Sequence, residues 1–516
     1  MNNFKIPIEI LNALEKLQGA GFEAYLVGGC VRDLLMNREP KDWDITINAK
    51  PEQIQEIFPN SVYENNFGTV LAMFTDYRLQ EMENKAVVGS QSSVTSVEIT
   101  PFRKEARYSD KRHPDKVEFS GKLEDDLARR DFTINAMALQ ISNLKSQISK
   151  SQLKSQNYKI IDLFEGENDL KNKIIRTVGA PEDRFNEDAL RIMRAVRFAA
   201  ELRFELETGT EKAIKKYVSL LEFVSQERIR DELIKIIMSD EPAKTFSQML
   251  ELGVMKFILS ELVEGWGVTQ NKHHIFTVWE HNLRALTHAV SKSCSLDVRL
   301  ASLFHDIGKP MSKRGEGPDS TFYGHEVVGA KIASQILRRL RFPKKFSEKV
   351  VKLVRWHLFF SDTEKITLSA VRRLVRNVGP ENIWDLMKVR INDRVGMGRP
   401  KEEPYRLRKY EAMIEQALRD PISVKMLAID GEDVKKIVNI PQSPKIGFLL
   451  NILLEEVLDD SELNTKEYLE KRLGELAKMT DEDLKELGRK AKKKAALEEG
   501  KKIDEIHARY YLTPRR

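Results

Sequence analysis

The chain has 516 residues, 41% of them hydrophobic and 32% charged, with 85 basic against 79 acidic side chains and a net charge of +6. That length exceeds one hydrophobic core and predicts several domains, while the composition excludes a disordered or collagen-like chain. No apolar run reaches bilayer-spanning length, and two cysteines in unrelated contexts, Cys30 and Cys294, exclude a disulfide framework or a zinc knuckle; the expectation is a cytoplasmic protein with no membrane partner, whose slight basic excess permits a nucleic-acid partner.

The first expected element is a helix within Met1–Ala20, where Ile6, Ile10, Leu14 and Leu17 recur at helical spacing among charges, unlike the apolar core of a signal peptide. Short buried strands follow at AYLVGG, WDITI and VEIT, and strand signals fade after about Leu139. From Asp188 onward nearly every segment has helical spacing. The expected fold class is therefore α+β, a small mixed-sheet head followed by an all-α body. Residues 84–97, Ser-rich at their centre, and residues 142–157, where LKSQ occurs twice, read as solvated loop insertions without a packable face. The charge-dense stretch 480–516 reads as a solvated terminal helix.

The segment Leu26–Ile45 carries the first chemistry. A strand ends at Val27, Gly28 and Gly29 turn the chain, and a helix begins near Cys30. Paired glycines admit a phosphate close to the backbone, the helix start offers free amide donors, and Arg32 lies one turn in. Asp42 and Asp44, two apart in an expected strand, share one face, with Trp43 and Ile45 turned to the core. Two carboxylates on one face need cations, and Mg²⁺ suits such a hard oxygen site. Two metals bridged there can activate a hydroxyl and stabilise the departing oxygen of a phosphoryl transfer.

Farther on, DDLARRDFTINAMA (125–138) leads from an acidic turn through Arg129 and Arg130 into an apolar helix. In EDALRIMRAVRF (187–198), Asp188, Arg191, Arg194 and Arg197 recur every three residues as a helical stripe, with Ile192, Val196 and Phe198 on the buried side. A carboxylate beside a guanidinium can present acceptors and donors to a base edge. A different pattern follows: His281, the adjacent His305–Asp306 of HDIGKP, and Asp393, with His325 and His357 available for a second metal position. Imidazole together with carboxylate favours transition metals, or Mg²⁺ held with waters.

LVGGCVRDLL…KDWDI resembles the signature of class II tRNA nucleotidyltransferases and bacterial poly(A) polymerases, within the DNA polymerase β superfamily. The resemblance implies that Asp42 and Asp44 bind catalytic Mg²⁺, with Glu98 of VEIT as the assisting third carboxylate. It implies that Arg129, Arg130, Asp131 and Asn135 orient the triphosphate and sugar. Asp188 and Arg191 would select CTP or ATP without a template, and Arg194 and Arg197 would serve the phosphates. HDIGKP with its partner residues resembles the HD phosphohydrolase superfamily, some of whose members, fused to bacterial tRNA nucleotidyltransferases, hydrolyse 2′,3′-cyclic phosphates or phosphomonoesters; a divalent metal is expected there. The resemblance divides the chain into a nucleotidyltransferase head (1–178), a nucleotide-selecting neck (179–265), an HD domain (266–400) and a helical, tRNA-binding tail (401–516).

Phe102–Phe119 (FRKEARYSDKRHPDKVEF) resembles the flexible loop with which CCA-adding enzymes switch from CTP to ATP, and residues 441–457 resemble the tRNA-engaging tail of HD-bearing members. The expected activity is CCA addition to the 3′ end of tRNA. A poly(A) polymerase, or an enzyme adding only CC or only A, remains the alternative, and a tRNA-binding protein with an inactive head is disfavoured by the presence of Asp42, Asp44, Arg32 and the Asp188 stripe. The sequence does not reveal the oligomeric state.

Overall fold

The computed structural model describes residues 4–63, 68–75, 94–106, 116–142, 157–271, 275–359, 366–399 and 401–480, with residues 144, 482–484 and 486–487. The chain forms two compact units, Met1–Ile258 and Leu259–Arg516.

The first unit is built on a seven-stranded sheet of order β3-β4-β5-β2-β1-β8-β9. Its strands are β1 (Ala24–Val27), β2 (Asp44–Ile47), β3 (Ser61–Tyr63), β4 (Val70–Thr75), β5 (Val94–Pro101), β8 (Met137–Ile141) and β9 (Tyr158–Asp162). Only β2 and β5 pair in parallel; the other neighbours are antiparallel. A separate hairpin joins β6 (Arg103–Ala106) to β7 (Lys116–Phe119). It spans the Phe102–Phe119 segment, whose centre lies outside the described residues.

Strand alternation sorts the side chains. In β1, Ala24 and Leu26 join Ile45 and Ile47 of β2 in a core under α1 (Ile8–Gly19), α2 (Gly29–Leu35) and α3 (Pro51–Ile57). Tyr25 and Val27 turn to the opposite face, where Phe102, Leu123, Leu127 and Ala138 cover them. Asp44 and Thr46 share this second face, beside α4 (Leu123–Ala128). Burial of both faces explains why β1 is apolar without a break.

Helices α5 (Gly166–Asn172), α6 (Pro181–Glu187), α7 (Leu190–Leu202), α8 (Thr208–Tyr217), α9 (Gln226–Met238) and α10 (Pro242–Glu251) follow. Helix α7 is the centrepiece: Ile192, Met193, Ala195 and Val196 are fully buried. The second unit is helical among its described residues. It includes α11 (Val278–Ser291), α12 (Leu296–Phe304), α13 (His325–Arg339), α14 (Lys344–Trp356), α15 (Leu368–Val378) and α16 (Ile383–Gly396). Beyond them lie α17 (Tyr405–Ala417), α18 (Gly431–Val438), α19 (Pro444–Asp459) and α20 (Lys466–Leu476). No described helix is long and apolar enough to cross a membrane.

Four expectations need correction. The apolar helix expected after Arg130 is a single 3-10 turn, Thr133–Asn135, that leads into β8. Residues 94–97 of the supposed first insertion are the start of β5, because Val94 to Val97 pair with Thr75 to Ala72; the rest of it lies outside the described residues. Most of the second insertion also does, yet Leu144 within it is buried in the sheet core, so the segment is anchored at that position. Strand structure does not end with the head either: Glu205–Leu206 pairs in parallel with Ile174–Ile175.

Candidate active sites

The first site forms where β2, the β1–α2 turn and α4 meet. Val27 lies opposite Asp44 in the β1–β2 pairing. The parallel β2–β5 register sets Asp44 directly beside Glu98, two carboxylates far apart in sequence brought to neighbouring strands. Asp42 is exposed and lies in a bend just before β2, not in the strand, so backbone alternation does not fix its direction as expected. Its charge still reaches Asp44. Burial, then Asp42, push the Asp44 carboxyl above its ordinary value, against the pull of Arg130. Three carboxylates with one of them largely withdrawn from water leave negative charge to be balanced, and the donor set is all oxygen; both fit a hard divalent cation.

Gly28 turns into α2 with φ of +78° and ψ of −135°, a region that side chains other than glycine rarely enter and that costs on the order of 1–3 kcal/mol. A Cβ there would also stand 2.9 Å from the Arg130 guanidinium and 3.3 Å from the Asp44 carboxylate, so both side chains would have to shift. Gly29 opens α2, and the Arg32 guanidinium donates to Asn135 Oδ1 at 2.8 Å and lies over the Phe198 ring.

Asp126, which the sequence reading passed over, organises the arginines. It is wholly buried. One carboxylate oxygen accepts from Arg129 at 3.0 and 2.6 Å, and the other accepts from Arg130 at 3.1 Å and from the Thr46 hydroxyl at 3.2 Å. Burial opposes its ionisation, but the two guanidinia outweigh it and hold the carboxyl below the usual range. The signal was present: Asp126 stands three and four residues before Arg129 and Arg130, the spacing of helical ion pairs. Asp131 takes a parallel part. It accepts from Asn135 at 3.3 Å and pairs with Arg194 at 2.6 Å, and despite burial the Arg194 and Arg191 charges bring its carboxyl down to about 2.

The stripe on α7 is less uniform than its spacing suggests. Arg194 is partly exposed, whereas Arg191 and Arg197 are buried. Arg191 donates to Glu187 and to the carbonyls of Arg184 and Arg129. Arg197 is held by Glu232 of α9 and by Glu201 and lies 4.0 Å over Phe198. Asp188 does not face Arg191 as expected. Its carboxylate is gripped in two-pronged fashion by Arg228, at 3.1 and 2.7 Å. Arg228 stands 40 residues on, and no local spacing pointed to it.

The second site lies in the second unit. His281 projects from α11, His305 and Asp306 follow α12, His325 opens α13, His357 closes α14, and Asp393 comes from α16. All six are buried. The Nε2 atoms of His281 and His305 approach to 2.8 Å, and each lies 3.2–3.5 Å from both Asp306 and Asp393. The Nε2 atoms of His325 and His357 lie 3.2 and 3.6 Å from the other oxygen of Asp306. The ligand atoms thus form two triads, His281–His305–Asp306 and Asp306–His325–His357, with Asp306 common to both.

Backbone aims these rings. The Nδ1 of His305 donates to Ser302, that of His325 to Phe322 and that of His357 to Val354, each to the carbonyl three residues earlier at 2.7–2.8 Å. Nδ1 so engaged leaves Nε2 as the ligand atom, which is how metal-binding imidazoles are oriented. The carboxylates dominate the field: burial opposes charge on His305, yet Asp306 and Asp393 raise it to about 10, while His357 is lowered by burial. Negative charge strong enough to hold an imidazole protonated fits a divalent cation in the same place. Lys309, three residues after Asp306 and also overlooked in the sequence, is buried between Asp306 at 2.5 Å and Gln270 at 2.6 Å. Arg390 pairs with Asp393 at 2.6 Å.

Comparison with known proteins matches three segments of the chain to family models. Residues 24–176 match the poly A polymerase head domain, residues 203–264 a probable RNA and SrmB-binding site of polymerase A, and residues 278–406 the HD domain. A CCA-adding enzyme of Lactobacillus delbrueckii subsp. bulgaricus is 42% identical over 258 residues, 49% of this chain and 57% of that protein. One of Lactobacillus helveticus is 44% identical over 251 residues, 48% of this chain and 55% of that protein. The chain thus spans little more than half the length of these curated relatives. The crystal structure of the Bacillus stearothermophilus CCA-adding enzyme in complex with CTP superposes with a TM-score of 0.63 at 27% identity, covering 91% of this chain and 98% of that one. A Thermotoga maritima CCA-adding enzyme complexed with tRNA shares the fold at 22% identity, TM-score 0.52, over 92% and 97% of the two chains. The resemblance to poly(A) polymerase-type nucleotidyltransferases carrying an HD domain therefore holds beyond the motifs that first carried it.

Proposed function

We propose that this chain is a CCA-adding tRNA nucleotidyltransferase that also bears a metal-dependent phosphohydrolase centre. The observation that carries the first part is the Asp44–Glu98 pairing across parallel strands, with Asp42 beside it and the Asp126-held arginines behind. In this reading the 3′-terminal hydroxyl oxygen of tRNA attacks the α-phosphorus of CTP or ATP and gives its proton to solvent. The bond from that phosphorus to the pyrophosphate oxygen breaks, and pyrophosphate leaves with the negative charge. Asp42, Asp44 and Glu98 would hold a divalent cation, taken here as Mg²⁺, which would supply activation of the hydroxyl and charge neutralisation at the leaving group. Arg130 and Arg129 hold the triphosphate, Arg32 and Asn135 position its sugar end, Gly28 and Gly29 admit it to the backbone, and Arg194 anchors Asp131.

Base choice falls to Asp188, which offers acceptors, with Arg191 and the Arg228 that grips Asp188 offering donors. The motif-like 102–119 segment and the α19 tail favour full CCA addition to tRNA over poly(A) synthesis or partial addition. The test is direct: incubate the protein with tRNA lacking its 3′ end, Mg²⁺, and CTP, ATP or both, and sequence the products. CCA ends only when both nucleotides are present support the reading; long A tails, or CC or A alone, refute it in favour of the alternatives.

For the second centre, the shared Asp306 carries the proposal. The two triads would hold a pair of divalent cations, which supply a nucleophilic water at neutral pH. Water oxygen bonds to phosphorus, one ester P–O bond opens, and the released ribose oxygen takes a proton. Lys309 steadies Asp306 from behind.

A further inference from the structure

Behind the first triad of the second unit runs a chain of buried polar side chains. Ser302, Asn392 and His288 are each no more than 8% exposed. Asn392 Nδ2 donates to the Ser302 hydroxyl at 2.9 Å, and with that nitrogen committed its Oδ1 accepts from His288 Nδ1 at 2.7 Å. The other ring nitrogen of His288 lies 3.3 Å from Glu402, a half-exposed carboxylate that Lys292 holds at 2.9 Å. A buried amide is costly unless both its ends are paired, and a paired one fixes its neighbours in place.

The three members come from three helices, and each helix also leads to a ligand atom of the centre. His288 lies seven residues after His281 on α11, two turns along the same face and about 10 Å away. Ser302 stands near the end of α12, and its carbonyl accepts from His305 Nδ1 at 2.8 Å. Asn392 directly precedes Asp393 on α16. Gly396 tightens the same packing on the other side of Asp393: a Cβ there would stand 3.1 Å from both the Nδ1 and the carbonyl of His281, and the Gly396 carbonyl accepts from Arg284 of α11 at 3.2 Å. Helix α16 is thus pinned to α11 before and after Asp393, and to α12 through Ser302. His325 and His357, which complete the second triad, come from α13 and the end of α14, to which Asn392 makes no hydrogen bond among the described residues. We propose that Asn392 is a positioning residue for one half of the metal centre: it holds α11, α12 and α16 so that His281, His305 and Asp393 converge, while the half built by His325 and His357 forms without it. This rests on the reading of the six residues as a metal centre given above.

The experiment titrates the full chain with Co²⁺ in a calorimeter. Asp306→Ala, which removes the carboxylate common to both triads, serves as the baseline, so that only ions bound at this centre are scored and any bound by the head cancel. The wild type is expected to take up two ions that Asp306→Ala does not. Asn392→Leu, of similar volume but unable to bond to Ser302 or His288, is expected to weaken one of these two sites roughly ten- to hundredfold, the usual loss when a group that orients metal ligands is removed, and to leave the other at its wild-type affinity. Ser302→Ala keeps the carbonyl that aims His305 and is the milder variant should Asn392→Leu fail to fold; it is expected to weaken the same site, toward the lower end of that range. Because Asn392 acts partly through Ser302, the double variant should lose less affinity than the two single losses together. Two sites weakened alike, as general loosening of the fold would produce, overturn the proposal, as do two sites left unchanged or losses that simply add. Wild-type binding equal to that of Asp306→Ala is a different result: it removes the metal centre itself, and the positioning role with it.

Discussion

Asp126→Asn tests whether one buried carboxylate sets the arginines proposed to hold the triphosphate. Asparagine keeps the shape and removes the charge, so at best one of the two guanidinia retains an acceptor while the other faces an amide N–H₂. Removing one partner from a fully buried ion pair costs about 3–5 kcal/mol. Arg129 and Arg130 each keep 17% side-chain exposure and can turn partly to water, so about 2–3 kcal/mol is expected, near the worth of a charged hydrogen bond. In a unit of this size, that lowers the melting temperature by roughly 5–10 °C. Because Arg130 also stands against Gly28 and Asp44, its displacement should raise KM for CTP and ATP about ten- to hundredfold, the equivalent of 1.4–2.8 kcal/mol. The assays are thermal unfolding followed by circular dichroism and steady-state nucleotide addition. Thr46→Val, which removes one hydroxyl within reach of this carboxylate and of the Thr100 carbonyl, should cost about 1–2 kcal/mol and leave KM near wild type, because both guanidinia keep their acceptor. An Asp126→Asn protein that melts within a degree of wild type and keeps its KM would refute the organising role.

Further outcomes are expected. Asp44→Asn should abolish nucleotide addition with little loss of stability, since burial already works against charge at that position; turnover near wild type, measured by primer extension of tRNA, would end the metal assignment. Gly28→Ala should reduce addition severely, because its Cβ intrudes on Arg130 and Asp44; an unchanged rate would show that the turn does not need glycine. The Asp131 carboxyl lies near 2 when folded against an ordinary 3.8, so its ionised form contributes about 2 kcal/mol above pH 4, and this is lost as the pH falls from about 4 toward 2. Urea titrations of Asp131→Asn should show a flatter acid limb than wild type; parallel curves would contradict this. Asp306→Ala, which removes a ligand from both triads, should abolish metal-dependent hydrolysis of 2′,3′-cyclic AMP while CCA addition persists, and prior removal of metal by a chelator should have the same effect on hydrolysis in the wild type.

The short range of the sequence code explains what could be read from it. β1, α2 and β2 were legible because glycine punctuation and strand alternation act over a few residues, and the six HD residues were legible because each sits in a distinctive local pattern. The partner of a side chain is a tertiary matter. Asp42 and Asp44 look equivalent in sequence, but the strand begins at Asp44 and only that carboxylate is fixed by the sheet. The even spacing of Arg191, Arg194 and Arg197 hides that Glu187 and Glu232 bury the two flanking residues. Arg228 could not be assigned to Asp188 without the packing of α9 on α7. Leu144 lies in a polar repeat, and its burial depends on a core supplied by the sheet.

The lone parallel pairing in the head has a kinetic consequence. An antiparallel neighbour can be reached through a tight turn, but β5 must run beside β2 in the same direction, and the chain between them first builds the β3–β4 pairing. Closing so long a loop is slow relative to hairpin formation. Glu98 therefore meets Asp44 after the local elements around each have formed, and a nascent chain emerging from the ribosome holds Asp42 and Asp44 well before their third carboxylate arrives. On the mechanism proposed above, a partly folded head that lacks the β2–β5 pairing would hold an incomplete cation site.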